Sequence, residues 1–187
     1  MRAFIAVELA PPIKAALEGL IRELRRKGGG GISWIKPDAM HLTLKFLGDI
    51  LDEKAPDVSA LLGRVAAGRR PFPLKLKGTG TFPPGARADA RVLWAGIEEV
   101  PELMDLQAAL EAECERAGFP REDRAFHPHM TLGRVRSRDG LEAVIRELER
   151  NRDIDLGEMS VTAVTLFRSV LSPSGAVHTA LSRAELR

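Results

Sequence analysis

Apolar residues follow two rhythms along this chain. From Arg2 to Leu9 they run almost unbroken, with β-branched and aromatic members, as a buried strand requires. Pro11 and Pro12 suit a helix start, where a missing N–H does no harm. Ile13, Leu17, Leu20, Ile21 and Leu24 then recur at helical spacing, up to the glycine run that opens at Gly28. "ISWIK" and "MHLTLKFL" read as strands on either side of a Pro-Asp turn, and a helix is expected over Asp57 to Ala67, closing at Gly68. Two further strands are expected at Phe72 to Phe82 and Arg91 to Ile97, with "PPGARADA" as the loop between them.

Leu103, Leu106, Leu110 and Cys114 mark a helix from Pro101 to about Ala117, and Leu141, Val144, Ile145 and Leu148 mark another. "PHMTLGRV" reads as a strand between them. "MSVTAVTLFRSV" and "AVHTALSRA" read as two closing strands joined by the turn "SPSG". The order is β-α-β-β-α-β-β-α-β-α-β-β, with no linker or low-complexity break. Neighbouring strands joined by tight turns argue for antiparallel pairing, hence α+β and not a doubly wound sheet. A single duplicated, two-lobed domain over residues 1–187 is the economical reading.

Composition narrows the function classes. Apolar residues make up 44% and charged residues 29%, ordinary values for a globular protein. A net charge of +2 excludes a strongly cationic nucleic-acid coat, so any affinity for polyanions must come from local clustering. The one cysteine, Cys114, cannot form an internal disulfide, which points to a reducing cytoplasm. The opening residues lack the apolar core and cleavage site of a signal peptide. No run approaches the roughly 20 apolar residues of a membrane span. The expected location is therefore cytoplasmic, with no membrane contact and no protein partner evident.

Histidine is scarce: His41, His127, His129 and His178 are all there are. His41 and His129 both fall in the phrase His-x-Thr-Leu, once in "HLTLKFLG" and once in "HPHMTLGR". On a strand, residues i and i+2 share a face, so His41 and Thr43 point together, as do His129 and Thr131. Imidazoles ionise near neutrality, so a pair of them supplies one acid and one base at pH 7. Threonine hydroxyls donate to phosphoryl oxygens from a stiff, branched side chain. If the two strands face each other, the set suits in-line displacement at phosphorus, with no metal or other cofactor required. A nucleophilic triad fits worse, because neither motif has a Ser or Cys beside it with a carboxylate to orient a base. One such motif alone reads as a structural histidine; its repetition favours a functional pair.

"WIKPDAMHLTLKFLGDI", "FHPHMTLGRV" and "MRAFIAVEL" together resemble the 2H phosphoesterase superfamily, and within it the bacterial and archaeal RNA 2′,3′-cyclic phosphodiesterases, also called 2′-5′ RNA ligases. The resemblance runs from the first strand to the last. It implies a bilobal α+β fold of two antiparallel sheets flanked by helices, with one motif strand from each lobe facing a central cleft. It implies RNA ends or nucleoside 2′,3′-cyclic phosphates as substrates, and 2′-phosphomonoesters as products. It further implies His41 as general acid, His129 as general base, and Thr43 and Thr131 as phosphate ligands. With a 5′-hydroxyl RNA end in place of water, the same chemistry forms a 2′-5′ linkage.

The resemblance also implies a base-stacking role for Phe46 and a phosphate contact for Arg134. Both lie five residues after a motif histidine, and in a straight strand that spacing puts them on the opposite face. Phe46 is then equally a core aromatic, whereas Gly133 allows a bulge that returns Arg134 to the cleft. His127 shares the His-x-His spacing of metal ligands, but Pro128 breaks regular strand geometry, and a rim position is the favoured reading. His178 lacks the motif spacing and is expected to fill a strand face. Lys36, Lys45, Arg136 and Arg138 lie near the motifs and together would make the cleft cationic. "RELRRKGGGG" reads as a solvated helix end. Two alternatives stay open at this point: a metal-dependent phosphohydrolase built on His127 and His129, and a non-catalytic module binding RNA ends.

Overall fold

The computed structural model describes residues 1–85, 87, 89–172 and 175–187. The loop expected over "PPGARADA" and the turn expected over "SPSG" are therefore described only in part, since Ala86, Ala88, Pro173 and Ser174 lie outside those residues. The strands are β1 (Arg2–Glu8), β2 (Ile32–Trp34), β3 (His41–Asp49), β4 (Phe72–Phe82), β5 (Val92–Ile97), β6 (His129–Val135), β7 (Asp155–Val161), β8 (Ala163–Ser172) and β9 (Gly175–Glu185). The helices are α1 (Pro11–Lys27), α2 (Ala55–Ala66), α3 (Pro101–Arg116) and α4 (Leu141–Arg150), and short 3₁₀ turns cover Pro37–Ala39 and Asp52–Lys54. Among the described residues no helix is long and apolar enough to cross a membrane.

Helix α1 shows how local chemistry sets its bounds. Two prolines open it, Arg25, Arg26 and Lys27 oppose the negative end of its dipole, and the chain leaves the helix at Gly28 with φ 148°. Its buried residues are Ile13, Leu17, Leu20, Ile21 and Leu24, the same stripe that the periodicity predicts. The stripes of α2, α3 and α4 join this one in a continuous core that also takes in Ile5, Leu42 and Leu166 from one sheet and Leu74, Leu93 and Met130 from the other.

Both sheets are antiparallel throughout. One has the order β3-β1-β8-β9 and the other β2-β6-β5-β4-β7. Each carries one motif strand: β3 lies at the edge of the four-stranded sheet, β6 inside the five-stranded one. The sheets are interleaved in sequence, because the chain changes sheet from β1 to β2, β2 to β3, β3 to β4 and β7 to β8.

"MSVTAVTLFRSV" is not one strand. It divides at Thr162, so that β7 pairs with β4 while β8 pairs with β1 and β9. Val161 and Ala163 are both buried, as they would be in one continuous strand, so the apolar pattern does not mark the break. The change lies in the backbone: the Thr162 carbonyl accepts from the Leu186 amide at 2.8 Å as the chain crosses between sheets.

Candidate active site

Strand β3 starts regularly: His41 pairs with Glu8, Leu42 with Val7 and Thr43 with Ala6. The next pair is Lys45 with Ile5, which leaves Leu44 as an extra residue opposite no partner. This bulge reverses the alternation. Leu42, Leu44 and Lys45 all turn to the core, and Phe46 returns to the side of His41 and Thr43, 58% exposed. Phe46 is therefore not a core aromatic. The parity objection to it fails because the strand is not straight.

Strand β6 repeats the device at the same place. Thr131 pairs with Trp94 and Gly133 with Leu93, so Leu132 is the extra residue, and Arg134 emerges exposed on the face of His129 and Thr131. Gly133 occupies the inward position that Lys45 holds in β3. A Cβ there would lie 2.7 Å from Ile32 Cγ2, so the close approach of β2 requires glycine. His-x-Thr-Leu-x-x thus ends, in both strands, with its fifth following residue turned back toward the histidine. Strands β3 and β6 approach within 8 Å between Cα atoms, making the two motif strands neighbours across the sheets.

The surroundings of the two imidazoles differ. His41 stacks on Phe4 at 4.4 Å between ring centroids and lies 5.8 Å from Phe167. Phe4, Ala6 and Phe167 form a small apolar cluster separate from the main core, on the opposite side of the sheet. Burial in this setting holds the His41 imidazole down to about 4, with His178 and Lys14 acting the same way and hydrogen bonding to the Ala39 backbone acting against them. His41 is thus uncharged at neutral pH in the free protein. His129 is fixed differently: its Nδ1 lies 2.7 Å from the His127 carbonyl oxygen. A carbonyl can only accept, so Nδ1 carries a proton, and in the neutral ring the free lone pair is then on Nε2. The Phe82 ring meets His129 edge-on at 5.0 Å.

His127 contributes through its backbone; its ring is exposed. Among the described residues, no group of three His, Cys, Asp or Glu side chains is placed to hold a metal ion. His178 lies closer to the motif than its sequence context suggests, edge-on to His41 at 4.9 Å and to Phe4 at 5.0 Å. Its imidazole is lowered by burial, and its buried Nδ1 has no partner among the described residues. Trp94 Nε1 is likewise buried and unpartnered among the described residues, on the strand beside Thr131. The Trp94 ring covers Gly80, where a Cβ would come within 2.2 Å of it. Phe4, Phe167, Phe82 and Trp94 carry no motif, and only the strand registers reveal them.

The expected cationic cluster is only partly present. Lys45 points inward, 2% exposed, with Nζ 2.9 Å from Glu111 and 2.6 Å from the Pro120 carbonyl. The Leu44 carbonyl, at the bulge itself, accepts from Gln107 at 3.4 Å. Helix α3 therefore anchors the β3 bulge, and Lys45 joins it to the segment that leads toward His129. Arg138 is engaged with Asp89 at 3.1 Å. Lys36, Arg134 and Arg136 are exposed and form no ion pair among the described residues. Cys114 is buried on α3, its thiol pushed up to about 11 by burial, which leaves it inert.

Comparison with known proteins is consistent with this geometry. A family model described as the 2′-5′ RNA ligase superfamily matches residues 11–172. An RNA 2′,3′-cyclic phosphodiesterase of Methanothermobacter thermautotrophicus is 34% identical over 182 residues, covering 96% of this chain and 95% of that one. A solved structure from Thermus thermophilus superposes with a TM-score of 0.84 at 34% identity, covering 100% of this chain and 98% of that one. E. coli LigT complexed with 3′-AMP superposes with a TM-score of 0.75 at 27% identity, covering 99% and 97%.

Proposed function

The chain belongs to the 2′-5′ RNA ligase superfamily, and from that membership we propose that it hydrolyses the 2′,3′-cyclic phosphate at an RNA end to a 2′-phosphomonoester. The observation that carries the reading is the doubled bulge. It gives each motif strand one imidazole, one hydroxyl and one further side chain on a shared face. The relatives' name, RNA 2′,3′-cyclic phosphodiesterase, supplies the substrate class.

In this reading water attacks phosphorus in line with the 3′-oxygen. The free lone pair on His129 Nε2 takes a proton from the water as the new P–O bond forms. The P–O3′ bond breaks, and His41 delivers a proton to the departing oxygen. Thr43 and Thr131 donate to the non-bridging oxygens, where negative charge develops. Arg134 adds a fixed positive charge, and Phe46 offers an exposed ring to the terminal base. With a 5′-hydroxyl RNA end attacking in place of water, the same displacement breaks P–O3′ and makes a 2′-5′ linkage.

Incubation with 2′,3′-cyclic AMP in excess chelator should give 2′-AMP. Loss of turnover on chelation, restored by stoichiometric metal, would instead favour a metal-dependent hydrolase. Tight binding with the cyclic nucleotide recovered unchanged would leave a binding module. If 3′-AMP were the product, the roles assigned to His41 and His129 would be exchanged.

The low His41 value shapes the pH dependence. Only the imidazolium can act as the acid, so kcat/KM should decline as pH rises above about 4 in the free enzyme. A bound phosphodiester anion beside His41 favours the charged ring, so the same limb of kcat should lie at higher pH. Parallel kcat and kcat/KM profiles check this. Coincident limbs would show that substrate does not reach His41.

A further inference from the structure

Away from the motif histidines, the structure holds an open groove of about 630 Å³ between α1 and the segment from β2 into the following 3₁₀ turn. That volume lies within the range of small-ligand sites. Arg22, Arg25, Arg26 and Lys36 line it, together with half-buried Trp34 and Ile35. All four cations are exposed, and none forms an ion pair among the described residues. Among the described residues, Glu18 is the one acidic side chain on the wall. For a protein of net charge +2, this is a strong local concentration of positive charge.

The groove is connected to the motif strands. Trp34 pairs with Gly133, and the Ile35 amide donates to the Leu132 carbonyl at 2.9 Å, so its floor is bonded to the β6 bulge. From Lys36 the chain turns through Pro37–Ala39 directly into His41. That turn touches α1 on one side and β9, the strand of His178, on the other. His41 is five chain steps from Lys36, so their Cα atoms lie within about 18 Å of each other. A single strand advancing about 3.4 Å per nucleotide covers that distance in roughly five nucleotides.

We propose that this groove binds the single-stranded RNA upstream of the reacting end, with its backbone phosphates on Arg22, Arg25, Arg26 and Lys36 and a base against Trp34. The proposal rests on the reading of the cleft as a cyclic-phosphate site and extends it from a terminal nucleotide to a strand. The observation that favours RNA over an acidic protein is the combination of unpaired cations with an aromatic face, since bases stack where carboxylates do not. Four phosphate contacts would make binding strongly salt-dependent, with a log–log slope of about −0.7 per contact for a single strand.

The test compares 2′,3′-cyclic AMP with an eight-nucleotide RNA ending in a 2′,3′-cyclic phosphate, in wild type and in the triple variant R22E/R25E/R26E. In wild type the octamer should show a KM at least about tenfold below that of the mononucleotide. The triple variant should lose that advantage and most of the salt dependence, with mononucleotide turnover unchanged. R22Q/R25Q/R26Q should give a smaller loss in the same direction, which guards against misfolding of the charge-reversed helix. Direct binding of a 3′-hydroxyl octamer reads the groove without turnover, so failure of the cyclic-phosphate reading would leave this readout standing. Equal KM for the two substrates, equal losses on both in the variant, or octamer displacement by polyglutamate at matched charge would each overturn the proposal.

Discussion

His41→Ala and His129→Ala should each lower kcat/KM for 2′,3′-cyclic AMP by roughly 10²–10⁴-fold, the range for a positioned acid or base. The two losses should not add, because each group depends on the other's proton transfer in the same transition state. Their pH signatures should differ as well. Removing His41 should abolish the limb governed by its depressed value near 4, and removing His129 should leave that limb in place. Hydrolysis within about tenfold of wild type in either variant would remove the basis for the two-histidine mechanism. Circular dichroism and thermal denaturation of both variants separate a catalytic loss from a folding one. That control matters most for His41, whose ring stacks on Phe4.

The second large effect concerns stability. Lys45→Met should destabilise the fold by about 3–5 kcal/mol, because it leaves the Glu111 carboxylate buried without its partner. It also removes the donor to the Pro120 carbonyl. The double variant K45M/E111L should recover most of that loss, since a matched apolar pair in a buried site is often neutral or better. Urea denaturation of the wild type, both single variants and the double variant measures the coupling directly. The double variant further separates stability from geometry. If the Lys45 bridge holds the β3 bulge in place, kcat should remain low when stability returns. Additive single and double effects would mean that Lys45 and Glu111 do not act as a pair.

Much of this arrangement is legible in the chain itself. The repeat of His-x-Thr-Leu needs no alignment to be noticed, and period-two alternation puts each histidine and its threonine on one face. The apolar stripe of α1 is read correctly to the residue, and that of α4 lacks only the buried Glu147, because apolar burial on these helices follows the spacing of three and four positions. Lys45 is misjudged, and the side taken by Phe46 and the nearness of His178 to His41 stay open, for a common reason. Each requires knowing which residue of another strand or helix lies opposite. The β3 bulge is defined against β1, the Lys45 charge is compensated 66 residues away on α3, and His178 reaches His41 through the order of four strands. The break at Thr162 is invisible for the same reason, since an apolar alternation looks identical whether its hydrogen bonds stay in one sheet or pass to the next.

The sequence by itself determined most of the elements, the two motif strands and the side-chain chemistry they carry, because these follow from residue type and local spacing. Tertiary structure alone decided the face of each fifth residue, the burial that depresses His41, and the backbone carbonyl that fixes the proton of His129 on Nδ1. Those depend on hydrogen-bond register and desolvation, and both are properties of segments brought together only when the chain folds.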